Sequence, residues 1–327
     1  MGRVYSLAPL AGYTDLPFRR ACRSQGAHFM STALIDAGAL VHGNPENEHI
    51  LERGEEEDWL GVQLLGSIPA DVAKSAEMLN DMAFDAIDFN MGCPMAKVLK
   101  RPAGAALLYP ANHSLAFQCV EIIRKRVTGK PFTVKMRILD EQDPAPTVAF
   151  CKQLVEFGVD GITIHGRLAS RIYSGPVATH VIRAVRESIS IPVTANGGIF
   201  SLEDANTLAE ATGCERLMIA RGSLGNPWIF RELTANAPYC PTHLELCEIL
   251  QRHVTGMMEM YGERTGLLLA RKITVAYLRG RGYSKKFRVQ AGLLSTHEDF
   301  ELFINALRIE GPVGFLNENK ASVKLKK

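Results

Sequence analysis

The sequence predicts an α/β protein, a (β/α)8 TIM barrel followed by a small C-terminal helical bundle. Three observations carry this. Short apolar runs recur eight times before residue 235, each ending near Gly, Asn, His or Pro and each followed by a helical pattern. The runs are rich in Val, Ile, Leu and Phe without clean polar alternation, as parallel strands covered on both faces read. Eight repeats in that length match the ~250-residue size of such barrels.

The predicted strands are Val4–Pro9, His28–Ala33, Leu60–Leu65, Ala86–Asn90, Phe132–Ile138, Gly161–His165, Pro192–Asn196 and Leu217–Ala220. Between them, Asp71–Met82, Leu115–Val127, Thr147–Phe157, Thr179–Ser188 and Leu202–Thr212 show helical spacing, the last preceded by Ser201 as N-cap with acids in its first turn. An open doubly wound sheet is the alternative, but no GxGxxG follows the first strand. Thr234–Pro241 reads as a turn-rich linker. Helices are then expected at His243–Tyr261, Arg264–Gly280, Lys285–Ser295 and Glu298–Arg308, enough for a small bundle. The expected domains are a catalytic barrel over 1–235, a helical unit over 241–312, and a polar, Lys-rich, flexible tail over 313–327.

Composition narrows the function classes. With 46% hydrophobic and 22% charged residues among 327, the chain is neither disordered nor fibrous. A net charge of +2 excludes an evenly basic coat but leaves room for local basic faces. No apolar run approaches the ~20 residues that span a bilayer, and Met1–Leu10 lacks the core of a signal peptide, so no membrane association is expected. Seven Cys without a CxxC pair argue against a disulfide framework or a zinc site, and a cytoplasmic monomer with reduced thiols and no metal is expected. The stretch Glu46, Glu48, Glu52, Glu55, Glu56, Glu57 and Asp58 reads as a solvated acidic face. Arg271, Lys272, Arg279, Arg281, Lys285, Lys286 and Arg288 form a basic run without an acid, either a solvated face or a polyanion-binding one.

Barrel chemistry sits at the C-terminal ends of the strands, and polar residues fall there. Gln63 lies near the end of the third strand, Asn90 ends the fourth, Lys135 and Arg137 lie on the fifth, His165 ends the sixth, Asn196-Gly197-Gly198 the seventh and Arg221-Gly222 the eighth. Each alone is weak, since a Lys in a strand can be a satisfied ion pair and an Asn a turn former. Together they suit a phosphorylated planar cofactor. The glycines and Arg221 offer a phosphate cup, Gln63 and Asn90 amides for a heterocycle, Lys135 a cation for a reduced ring, His165 a donor, and Pro9-Leu10-Ala11 a backbone edge. Flavin mononucleotide (FMN) fits best; pyridoxal phosphate lacks an obvious partner for its ring nitrogen. Cys93 lies on the loop after the fourth strand, placed as nucleophile or proton donor. Cys22, Cys119, Cys151 and Cys214 read as buried hydrophobes.

At these residues the sequence resembles the tRNA-dihydrouridine synthases, most closely the bacterial B-type subgroup. The resemblance runs through Ala8–Asp15, Val62–Gly66, Asp88–Pro94 with Lys97-Val98, Val134–Arg137, Ile164–Arg167, Ala195–Ile199, Met218–Gly222, Asn226–Phe230 and Leu269–Lys272. The NxGCPxxKV segment at Asn90–Val98 is the most specific part. It implies an FMN barrel with an RNA-binding helical domain that reduces uridines in tRNA at the expense of NADPH. The implied FMN contacts are Pro9, Leu10, Ala11, Gln63, Lys135, His165, Asn196, Gly197, Gly198, Ala220 and Arg221. Cys93 becomes the catalytic acid, and Asn90 and Lys97 contact the uracil. Arg167 and Arg171 at the rim, with Arg271, Lys272, Arg279, Lys285, Lys286 and Arg288 on the bundle, are the candidate tRNA contacts. Three positions depart from the pattern: Leu10 for Met, Gly198 for Asp and Ala220 for Gly. The rival readings are a dihydroorotate dehydrogenase-like enzyme acting on a small pyrimidine, a non-catalytic RNA-binding barrel, and an aldolase using Lys135 as a Schiff base.

Overall fold

Parallel strands need a crossover between each pair, and the chain provides one seven times. In the computed structural model, which describes residues 2–313, the first strands are β1 (Val4–Leu7), β2 (Phe29–Asp36), β3 (Leu60–Leu65) and β4 (Ala86–Met91). They are followed by β5 (Phe132–Arg137), β6 (Gly161–His165), β7 (Val193–Asn196) and β8 (Arg216–Ile219). The sheet closes in chain order, with β8 returning to β1 from Val4↔Arg216 to Leu7↔Ile219. The barrel with C-terminal helices predicted from the sequence is the fold observed.

Helices α1 (Leu16–Arg23), α2 (Ala37–Val41), α3 (Glu46–Leu51), α4 (Pro69–Asp81) and α5 (Ala96–Leu99) belong to the first half. α6 (His113–Arg126), α7 (Ala145–Glu156), α8 (Thr179–Ser188), α9 (Leu202–Thr212) and α10 (Ile229–Ala235) complete the barrel. Then come α11 (His243–Tyr261), α12 (Glu263–Leu278), α13 (Lys285–Ala291) and α14 (His297–Glu310). Ser201 caps α9 by accepting from the Asp204 N–H, as its sequence position implied. Thr242 and Glu245 form a capping box that starts α11.

Differences from the sequence reading have local causes. β2 runs on to Asp36 because a register shift between Ser31 and Leu34 lets Leu34–Asp36 pair with Gln63–Leu65. α13 stops at Ala291 rather than Ser295, because the Gly292 N–H turns back to the carbonyls of the last turn. Within the expected linker, α10 takes in Thr234 and Ala235 before Asn236 ends it in a left-handed conformation at φ 50°. All but the first residue of the expected tail lies outside the described residues.

The acidic stretch is not simply a solvated face. Glu57 is 2% exposed and Arg19 0%, and they form a two-pronged ion pair at 2.6 and 3.0 Å. α1 turns Arg19, Arg20 and Arg23 toward this segment, so Glu56 and Asp58 pair with the second and third of them. An α1 of eight residues is too short to announce that face by periodicity.

One apolar cluster fills the barrel and its helix layer, and a second joins α11–α14. Ala21 and Trp228, from the barrel's chain segment, belong to the second cluster, so the seam between the two is itself packed. Among the described residues no helix is long and apolar enough to cross a membrane.

Candidate active site

The mouth is built from side chains that alternate inward on β3, β4 and β5. On β4, Asp88 and Asn90 share one face. Thr133 Oγ1 donates to Asp88 Oδ1 at 2.6 Å, and Gln63 Nε2 donates to Asp88 Oδ2 at 2.7 Å. Asn90 Nδ2 donates to Gln63 Oε1 at 2.7 Å, and Asn90 Oδ1 accepts the N–H groups of Gly92 at 3.0 Å and Cys93 at 2.9 Å. The chain of contacts therefore runs from the barrel interior to the backbone of Cys93.

The Cys93 loop is fixed from two more sides. Its carbonyl accepts from Ala105 N–H at 3.0 Å, and Gly104, at φ 57°, lets the chain pass where a Cβ would lie 2.8 Å from that carbonyl oxygen. Arg137, 2% exposed, donates to Gly92 O at 2.9 Å, Leu168 O at 2.9 Å and Ile172 O at 2.8 Å, joining the Cys93 loop to the loop after β6. Cys93 itself stays half-buried, its side chain packed beside Leu65, Val98 and Ala103.

Across the mouth, Lys135 Nζ donates to Asn196 Oδ1 at 3.1 Å, and Asn196 Nδ2 donates to Met218 O at 2.8 Å, tying β5, β7 and β8 together. Burial brings Lys135 down to about 8, opposed by the nearby Asp88 charge. Burial raises Asp88 to about 6 against its hydrogen bonds from Thr133 and Gln63 and the Lys135 charge. His165 is pushed down to about 2, first by burial and then by Lys135, Arg137, Arg167 and Arg221. It is a neutral imidazole ringed by four cations. Arg167 Nη1 donates to His165 Nε2 at 3.4 Å, which leaves the ring proton on Nδ1.

After β7 the backbone turns left-handed, with Gly197 at φ 126° and Gly198 at φ 76°. A Cβ on Gly197 would lie 2.9 Å from His165 Cδ2, so only Gly passes there. Arg221 carries its guanidinium over the Tyr173 ring at 4.1 Å and the Phe200 ring at 5.5 Å. Among the described residues it has no acidic partner. A planar cation held by aromatic faces keeps its N–H edges free for an anion.

A family model described as dihydrouridine synthase (Dus) matches residues 6–309. The chain belongs to the dihydrouridine synthase family. It is 35% identical to tRNA-dihydrouridine synthase B of Pasteurella multocida over 288 residues, covering 86% of each chain. It is 33% identical to tRNA-dihydrouridine synthase B of Pseudomonas aeruginosa over 290 residues, 87% of this chain and 86% of that one. A protein of Rickettsia prowazekii named a probable tRNA-dihydrouridine synthase is 33% identical over 296 residues, 88% and 89% of the two chains. Among solved structures, histamine dehydrogenase from Rhizobium sp. 4-9 superposes with a TM-score of 0.52 at 16% identity, over 79% of this chain and 49% of that one. The 6-hydroxypseudooxynicotine amine oxidase of Pseudomonas geniculata N1 gives 0.53 at 13%, over 72% and 47%. This chain spans about half the length of either, and at that identity the likeness is one of fold. Family membership makes the protein an oxidoreductase, as the sequence resemblance implied.

In this dihydrouridine synthase family member the predicted site residues fall into two groups. Gln63, Asn90, Cys93, Lys135, His165, Asn196, Gly197, Gly198, Ala220 and Arg221 gather at the C-terminal ends of β3–β8, and Pro9, Leu10 and Ala11 follow β1. Lys97 is exposed on α5, and Arg167 is half-buried at the rim. Both amide atoms of Gln63, 0% exposed, are engaged inside the barrel, and Asn90, 7% exposed, holds the Cys93 loop. The basic run is dispersed rather than presented as one free set. Arg271 donates to Leu294 O, Lys272 to Gly12 O and Arg288 to Tyr283 O, while Lys286 pairs with Glu310 and Arg171 with Glu141. Arg279 and Lys285 are exposed without an ion pair among the described residues.

Sequence reasoning gave no site role to Asp88, Thr133, Tyr173 or Phe200, and noted Arg137 without one. The signal for Asp88 was present: it stands two residues before Asn90, hence on the same inward face of the strand. Arg137 stands two after Lys135 in the same way. Tyr173 and Phe200 lie on loops, where no periodicity announces an inward ring.

Proposed function

We propose that the protein reduces the C5–C6 double bond of specific uridines in tRNA, with FMN as its flavin, NADPH as reductant and Cys93 as the acid. The observation that carries this is the Asn90 bridge, which anchors the Cys93 N–H at the end of β4, where Asn90 lies in register with Lys135 of β5. The names of the bacterial relatives support tRNA as the substrate.

The residues present fit FMN. Four cations stand around His165, and the left-handed Gly197-Gly198 turn with Arg221 suits a phosphate at the end of β7 and β8. Gly198 in place of the family's Asp keeps the backbone N–H while accepting φ 76° without strain. When bound by these residues, FMN would supply the hydride that C6 of the uracil takes up. Lys135, placed by Asn196, offers a positive charge toward the site, and His165 offers an Nδ1–H. Cys93 holds its proton until negative charge develops on C5 and O4 of the pyrimidine, and then gives it to C5. Lys97, exposed on the short α5, is placed to follow the uracil as it enters. The base must leave its stack to reach the mouth, at a cost of a few kcal/mol that phosphate contacts from surface cations offset.

Incubating the FMN-loaded protein with NADPH and tRNA that lacks dihydrouridine, then mapping dihydrouridine by mass spectrometry, tests the reading. Site-specific dihydrouridine is expected. Turnover of free dihydroorotate with none on tRNA overturns it, as does a colourless protein that takes up no flavin.

A further inference from the structure

The helical unit grips the barrel at the two adjacent strands that close it. After β1 the chain folds into a tight turn, with Tyr13 and Thr14 N–H returning to Leu10 O and Thr14 Oγ1 bonded to both the N–H and the carbonyl of Leu10. The outer edge of that turn is the Gly12 carbonyl. Lys272, on α12, donates to it at 2.8 Å and places its ammonium 4.0 Å from the centroid of the Tyr13 ring. Gly12 sits at φ 72°, and a Cβ there would lie 3.3 Å from the Lys272 nitrogen. At the end of the turn, Asp15 caps α1 with one oxygen and accepts from the Tyr261 hydroxyl of α11 at 3.2 Å with the other.

The loop after β8 is held in the same manner. Arg281 donates to Gly225 O at 2.7 Å and Asn226 Oδ1 at 2.8 Å, and lies 5.1 Å from the Trp228 ring. Gly225 passes so close to α12 that a Cβ would sit 2.3 Å from Ala276 C. Two cations of the basic run are thus spent on neutral carbonyls of the barrel. Both carbonyls lie in loops that leave the ends of strands β1 and β8.

We propose that Lys272 is a positioning residue for the flavin site. By holding Gly12 O and covering Tyr13 it fixes the turn whose first residues, Pro9–Ala11, form the backbone edge for the ring. This rests on the FMN reading and departs from the expectation that Lys272 contacts tRNA phosphate. An ammonium bonded to a carbonyl and seated on a ring loses those contacts if it swings out to an anion, so its removal acts first on the turn.

The test measures FMN affinity by flavin fluorescence quenching, alongside the salt dependence of tRNA binding. Lys272→Met is expected to weaken FMN binding about tenfold, the scale of one charge-assisted hydrogen bond and its ordered turn. The slope of log K against log[salt] for tRNA stays that of the wild type. Lys272→Gln keeps a donor for Gly12 without the charge over Tyr13, and its affinity falls between the two. Both variants binding FMN like the wild type overturns the proposal, whatever the tRNA slope does; a slope reduced by about one confirms a phosphate contact instead. A wild-type protein that takes up no FMN overturns the functional reading and carries this inference with it.

Discussion

Asn90 holds Cys93 through the backbone: its Oδ1 accepts the Cys93 N–H at 2.9 Å while its Nδ2 is spent on Gln63. A residue expected to touch the substrate is thereby committed to placing Cys93, the proposed acid. Asn90→Ala frees the Cys93 loop and leaves the Gln63 carbonyl oxygen unpaired in the barrel. A stability loss of about 1–3 kcal/mol is expected from the orphaned group, read by urea denaturation. Product formation falls while FMN binding persists; wild-type turnover in this variant would show that the bridge places nothing of consequence.

Cys93→Ala separates the proposed acid from the rest of the site. The variant keeps FMN and still oxidises NADPH, because neither needs the thiol. Dihydrouridine formation falls by about 10²–10⁴-fold, the usual worth of a positioned acid. Single-turnover assays on tRNA measure this directly, and a loss under tenfold removes Cys93 from the role.

The barrel was legible because a strand buried on both faces writes itself as an unbroken apolar run, and eight such runs stand in order. The mouth was legible because Gln63, Asn90, Lys135, His165, Asn196 and Arg221 fall on or just past the C-terminal halves of those runs, residue types that an apolar barrel does not otherwise tolerate. What could not be read is pairing across distance. Gln63 meets Asp88 only once β3 and β4 are in register, with Gln63 opposite Asp88. Arg19 meets Glu57 across 38 positions, and Lys272 meets Gly12 across 260, so charge runs that looked like open faces turned out to be partly internal struts.

The Arg19–Glu57 pair makes a separate prediction. Arg19 also donates to Thr14 O and Glu52 O, so one guanidinium joins α1, the turn after β1 and the acidic segment. Arg19→Met strands a fully buried carboxylate and is expected to cost about 3–5 kcal/mol. Adding Glu57→Leu should recover most of that loss, since the charge left without a partner is gone. A double variant no more stable than the single one would assign the cost to the lost carbonyl contacts instead.

Buried histidines set the acid limit. His165 sits at about 2 and His253, buried between Phe18 and Tyr277, at about 3, both below the ordinary 6.5. Below pH 6.5 the unfolded chain takes up protons that the native one refuses, so each His removes about 1.4 kcal/mol of stability per pH unit. Asp88 works the other way: raised to about 6, it is protonated in the native state before the unfolded one, and returns a similar amount per unit below that pH. The net loss expected from these three groups between pH 6.5 and 5 is about 2 kcal/mol, measured by urea midpoints. His253→Phe should flatten the slope by one proton; an unchanged slope would mean that this ring titrates in the folded protein.

The salt dependence of tRNA binding discriminates among the surface cations. Each phosphate neutralised by a free Lys or Arg adds about 0.9 to the slope of log K against log[salt] for duplex regions. Arg279 and Lys285 are exposed without an ion pair among the described residues, so replacing both by Ala is expected to lower the slope by about two. Lys286 and Arg171 already pair with Glu310 and Glu141, and an RNA phosphate gains only what it takes from those carboxylates. Their Ala variants should each lower the slope by less than one unit. Filter binding over a range of KCl concentrations gives all the slopes at once. If the Arg279/Lys285 double variant keeps the wild-type slope, tRNA docks on another face, and the rim residue Arg167 with exposed Lys97 becomes the set to replace next.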